Sequence, residues 1–292
     1  MESLASVRKA YEFEDPLAGL KIPFVDEYLK PYTYGNVSDY IHHIVFAALL
    51  YQSLFQVSYL FTYPLKGYIS QFKNDKIRLD FSIRIVSFLQ SILIVGLSIP
   101  CFQNDILNED HVFAQTPYGS MLCAFATGYF VWDMIISLFY VQLFGIGFFV
   151  HGFVSTIVFL IGTSGYIQYY APIFLLFEIS TPFLDIRWVG LKFPGLISDT
   201  AQLVNNIILI LTFFVVRICW GWFQVFRLAC DFYVARNDPR FNVLFSTIIL
   251  SCNFILDLLN FYWFYKMMVV AVNTLKKMFS SAEVDDSKLK LM

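Results

Sequence analysis

His151, Asp133 and Glu178 are the residues of this chain whose types could do acid–base chemistry. An imidazole takes or gives a proton near neutral pH, and a carboxylate beside it orients the ring. Other polar groups accompany them. Asp185 follows Glu178 two helical turns on, with Thr181 between. Asn253, Asp257 and Asn260 recur at i, i+4, i+7, one stripe of a helix. Asn205 and Asn206 add an amide pair. All of these stand within long apolar runs. An ionisable group at mid-bilayer costs roughly 2.5–3.5 kcal/mol, so it either pairs to hold helices together or lines a site.

The elements that must position these groups are membrane helices. Hydrophobic residues make up 58% of the 292 and charged ones 14%, where soluble domains sit near half and a quarter. Phe alone occurs 33 times. A globular core of this length could not enclose so much apolar surface, and lipid must solvate part of it. The formal net charge of −2 offers no basic face, so no nucleic-acid partner is expected. Cys101, Cys123, Cys219, Cys230 and Cys252 lack Cys-x-x-Cys spacing and read as small hydrophobes. No metal site and no cofactor are expected. The polar N-terminus shows no cleavable signal peptide.

Seven apolar windows are long enough to cross the bilayer as helices: 40–62, 81–101, 120–141, 145–163, 167–187, 202–223 and 242–265. The expected fold is all-α, a polytopic membrane protein of about seven transmembrane helices. Pro172 and Pro182 should kink span 5. Short connections make spans 3, 4 and 5 neighbours. Orientation follows from loop charge. The loop after span 1 carries Lys66, Lys73, Lys76 and Arg78, and the loop after span 2 has no Lys or Arg. Loop 1 and the C-terminus therefore belong in the cytosol, although Arg227, Arg236 and Arg240 fall on the opposite face.

In this topology Asp133, His151, Glu178, Thr181, Asp185, Asn205, Asn253, Asp257 and Asn260 share the middle or cytosolic half of the bilayer, which suggests one polar chamber. Asp133, His151 and Glu178 should face one another. Arg217 lies in the opposite half, as a snorkelling or interhelical cation. His42–His43 sits at the bilayer edge, where it needs no function. Trp220, Trp222 and the aromatics at 262–265 fit an interfacial belt. No Gly-x-Ser-x-Gly or His-Glu-x-x-His occurs, and Gly145-x-Gly147 lacks a phosphate-loop context.

Five motifs in order carry a resemblance. They are Gly-Tyr-Phe-x-x-Asp at 128–133, His151 in the next span, Glu-x-Ser-Thr-Pro-Phe-x-x-x-Arg-Trp at 178–188, Arg217, and Leu-Asn-x-x-Trp-x-x-Lys at 259–266. Over about 76–280 the chain resembles the TLC-domain superfamily, which groups translocation-associated membrane proteins, ceramide synthases and ceroid-lipofuscinosis relatives. It looks most like fungal members outside the ceramide synthases. Those enzymes carry two adjacent histidines, where this chain reads His151-Gly152.

The resemblance implies a multi-pass protein of lipid homeostasis in the endoplasmic reticulum membrane, with membrane lipid as its partner. Its parts would be a polar segment 1–38, a first helix and basic loop 39–75, the TLC-like domain 76–280 and a polar tail 281–292. One alternative is a lipid acyltransferase taking acyl-CoA, with His151 as base and Asp133 or Glu178 orienting it. Another is a transporter or receptor. Without the tandem histidines, binding or regulation is favoured over catalysis. Lys288 and Lys290 are similar to a dilysine retrieval signal.

Overall fold

Sequence signals fix where most helices start. In the computed structural model, which describes residues 14–21 and 23–289, helix α1 spans Ile41–Phe61 and α2 Asp75–Phe102. The Asn74 side chain accepts from the Lys76 amide and caps α2. Helix α3, Pro117–Phe139, opens with Thr116 accepting from the Gly119 amide and proline in the first turn. Gly145, at φ 90°, turns the chain into α4, Ile146–Thr163.

The next segment breaks. A short α5, Tyr170–Leu175, runs into a 3-10 turn at Leu176–Ser180 and then α6, Thr181–Lys192. Pro182 has no amide to donate back to residue 178, and its ring crowds that carbonyl, so the helix breaks here and restarts with Pro182 in the first turn of α6. Helix α7, Asp199–Phe213, is capped by Ser198 and continues through a π-helical turn at Phe214–Trp220 into α8, Gly221–Ala235. Helix α9 runs from Val243 to Leu289, with Asn242 accepting from the Phe245 amide. It continues well past the expected end at 265. Lys290 lies outside the described residues, and of Lys288 only the backbone is described.

Among the described residues, six helices are long and apolar enough to span a membrane, where the sequence suggests seven. The difference is the fifth segment, which still traverses the bundle. At one end the Ile167 amide donates to the Val112 carbonyl and Tyr166 bonds Ser246. At the other, Phe193 packs on Phe72 and Trp188 on Phe81. The molecule is an all-α, polytopic membrane fold in which one crossing is a broken helix.

Close helix packing rests on glycine. A Cβ at Gly128 would come within 2.4 Å of the Ile44 carbonyl, so α3 lies directly on α1. One at Gly152 would come within 2.8 Å of the Met134 amide, so α4 lies directly on α3. Among the described residues, buried clusters fill the interior, the two larger of them at its centre and a smaller one at Phe72, Trp188 and Phe193. Tyr51, Phe55, Val86, Phe125 and Trp132 join α1, α2 and α3. Val154, Phe174, Leu228 and Ile249 join α4, α5, α8 and α9. Leu49, Val57, Ile92, Leu211 and Phe226 stay exposed, the surface that lipid covers.

Candidate functional site: an intramembrane polar cavity

The broken crossing sets up the centre of the site. In the 3-10 turn the Thr181 amide donates to the Glu178 carbonyl, which leaves the Phe177 carbonyl without its α-helical donor. Arg217, in the π turn, supplies one: its Nε lies 3.0 Å from Phe177 O and 3.0 Å from Ser180 Oγ. One Nη reaches Thr181 Oγ1 at 3.2 Å and Glu178 Oε1 at 3.6 Å; the other reaches Asn260 Oδ1 at 3.5 Å. Thr181 in turn donates to Glu178 Oε2 at 2.8 Å. Arginine, threonine and glutamate thus form one buried chain of donors and acceptors, in which each link polarises the next.

This chain borders a cavity of about 260 Å³. Asp133 of α3, His151 of α4, Glu178 and Thr181 line it together with Tyr129 and Ser87. Phe148, Phe213 and Trp263 give it apolar walls, and exposed Lys266 marks its open side. His151 Nδ1 stands 3.7 Å from Asp133 Oδ2, ion-pair range but beyond a hydrogen bond. The ring rests between Phe130 and Trp263. A smaller cavity of about 30 Å³ adjoins it across His151, Glu178 and Arg217, and Asn253 and Asn260 line that one.

The remaining expected chamber residues separate from these. Asp185 accepts from Arg84 at 3.0 Å, and Arg84 also holds Asp80 at 2.9 Å. That triad lines a neighbouring cavity of about 80 Å³ that shares Tyr129 and Asp133 with the main one. Asn205 supports α6 instead, donating to the Phe183 carbonyl at 2.9 Å. Asp257 is buried against Gly221, outside all three cavities. The i, i+4, i+7 stripe of α9 therefore divides between the small cavity and a packing contact.

Two arginines change the picture drawn from sequence. Of the two readings of Arg217, the structure shows the interhelical cation rather than the snorkelling one: the sixth span runs Asp199–Ala235 rather than 202–223, which places residue 217 at mid-span. Arg84 did not figure among the candidates, although the i, i+4 spacing from Asp80 was its signal. The histidine pair His42–His43 opens α1, and both rings meet Asp15.

A profile of the TLC domain matches residues 80–269. The chain belongs to the TLC domain family. It is 44% identical over 206 residues to an uncharacterized TLC domain-containing protein of Saccharomyces cerevisiae, covering 67% of this chain and 64% of that relative's length. A second protein of that yeast, topoisomerase I damage affected protein 4, is 29% identical across 87% of this chain and 92% of its own. Human TLC domain-containing protein 4 is 27% identical over 74% of this chain and 83% of its own. No solved structure gives a significant match. Within the family's region, Gly152 follows His151, and the Met134 backbone occupies the space a side chain there would need.

Proposed function

We propose that this TLC domain protein serves lipid homeostasis in the endoplasmic reticulum, and that its intramembrane cavity holds the polar end of a membrane lipid without acyl transfer. The observation that carries the reading is the cavity itself: about 260 Å³, floored by the Glu178–Arg217 pair and walled by Phe148, Phe213 and Trp263. That volume suits a headgroup with its first methylenes rather than a whole lipid, and polar groups converging in an apolar pocket are what such recognition needs. The carboxylate nearest the base in span 5 favours binding over catalysis, because Glu178 is already committed to Arg217 and Thr181. Lys66, Lys73 and Lys76 at the loop-1 end support a cytosolic C-terminus, and Lys288 and Lys290 support retrieval to the endoplasmic reticulum.

The Asp133–His151 contact favours one second reading, acyl transfer from acyl-CoA with His151 as base. One experiment separates the two. The purified chain and His151→Ala are compared for co-purifying lipid by mass spectrometry and for transfer of a labelled acyl group to lipid acceptors. Binding predicts a defined lipid on the parent, partly lost in the variant, with no transfer by either. Acyl transfer by the parent that His151→Ala abolishes would overturn the binding reading, and a parent with neither lipid nor transfer would overturn both.

A further inference from the structure

We propose that Asp15, His42 and His43 form a binding site for a zinc-class divalent cation at the membrane boundary, separate from the polar cavity. Histidines at consecutive helical positions diverge by about 100°. Here both rings nonetheless meet one carboxylate that precedes α1: His42 Nε2 lies 2.9 Å from Asp15 Oδ2, and His43 Nε2 lies 2.9 Å from Asp15 Oδ1. One donor atom from each residue falls within 4.8 Å of the other two. Both histidines are buried, with 8% and 1% of their surface exposed.

The hydrogen bonding is what points to an ion. His42 Nε2 makes a hydrogen bond to Asp15. His43 Nε2, although equally near its oxygen, does not meet the geometry of one, and the Nδ1 atoms of both rings are also without a hydrogen-bond partner. A 99%-buried imidazole that approaches a carboxylate at 2.9 Å without hydrogen-bond geometry, and has no hydrogen-bond partner at its other nitrogen, recovers only part of the cost of its desolvation. A cation at the shared focus answers that cost, because it takes the His43 Nε2 lone pair directly. Two imidazole nitrogens and one carboxylate oxygen are the ligand set that zinc accepts, with water in the fourth tetrahedral position. The nearby Lys21 Nζ is 4.0 Å from Asp15 Oδ2 and its side chain is 42% exposed, so it is free to swing into solvent.

The site lies at the end of the bundle where the Asn36 amide meets the Ser164 carbonyl, away from Lys266 and the open side of the main cavity. An ion there would clip the segment before α1 onto its first turn.

The test uses the full chain purified in detergent, stripped with a chelator and titrated with zinc alone, then with cobalt as a visible probe. The parent should take up about one zinc per chain and give the strong visible bands of four-coordinate cobalt. Asp15→Asn and His43→Gln should each weaken zinc uptake by at least about 100-fold, the upper end of what a lost outer-shell partner costs. His111→Gln, at a boundary histidine that pairs with Asp231 instead, should leave uptake unchanged. A parent that takes up no zinc and whose thermal midpoint zinc does not shift overturns the proposal, as do variants that bind as tightly as the parent. The parent readouts stand even where a variant fails to fold.

Discussion

Arg217 shows how one side chain can stabilise a bundle and still make it vulnerable. Its guanidinium satisfies a carbonyl freed by the 3-10 turn, a threonine, a glutamate and an asparagine at once. Removing it leaves the Glu178 carboxylate buried without its cation, the costliest way to disturb such a pair. Arg217→Met should therefore lower stability by about 3–5 kcal/mol, read as the thermal midpoint in detergent. Combining it with Glu178→Gln should cost less than the two singles added together. Strict additivity would mean that the two side chains do not interact. At this scale the sequence was informative where residue type alone mattered. Asp133, His151, Glu178 and Thr181 were picked out because they are costly inside apolar runs, and they do border one cavity. What it could not supply was depth. Counting from the apolar window put residue 217 in the opposite half of the bilayer from the other polar groups, because Gln224, Arg227 and Asp231 disguise the second half of a 37-residue helix.

Among the elements, α3 and α4 are set by what a glycine permits. The absent side chain of Gly152 lets the two axes approach until the Met134 backbone fills the place of a Cβ, with Asp133 Oδ2 at 3.0 Å. Gly152→His would restore the tandem histidines of the acylating relatives, yet it should not confer their chemistry. A larger side chain there forces the helices apart, and overpacking of this kind costs roughly 1–3 kcal/mol or more. The expected result is reduced abundance and a lower thermal midpoint without acyl transfer; a stable variant that acylates lipid would show that α4 can shift freely. Helix identity was legible from hydropathy, and the prolines of the fifth span foretold a bend. They could not foretell that the 3-10 turn at Leu176–Ser180 would become the floor of a cavity, since that depends on Arg217, 37 residues further on.

Across the whole molecule the crossings alternate in a way that can be checked. The loop at 103–116 meets residues 165–167 and 240, and the turn at 193 meets Phe72. Tags inserted near Asp105 and near Leu196 should therefore be reached from opposite sides of sealed microsomes, with a tag after Met292 matching Leu196. Protease protection reads the result, and matching exposure of the first two would overturn the seven-crossing path. The broken fifth crossing also bears on how the protein is made. A ribosome delivers the helices in order, and the stretch from Ile167 to Lys192 emerges carrying Glu178, Asp185 and Arg187. Asp185 finds Arg84 already in place in α2. Glu178 finds no cation until Arg217 has been synthesised. On insertion scales a lone central carboxylate costs about 2.5–3.5 kcal/mol, which works against entry of this segment on its own. The fifth segment should thus wait at the translocon and enter lipid together with the sixth. Chains truncated after residue 198 and released from the ribosome should leave a cysteine at position 196 on the side where α4 ends. Chains extended through residue 235 should carry that cysteine across, as labelling with an impermeant thiol reagent would report.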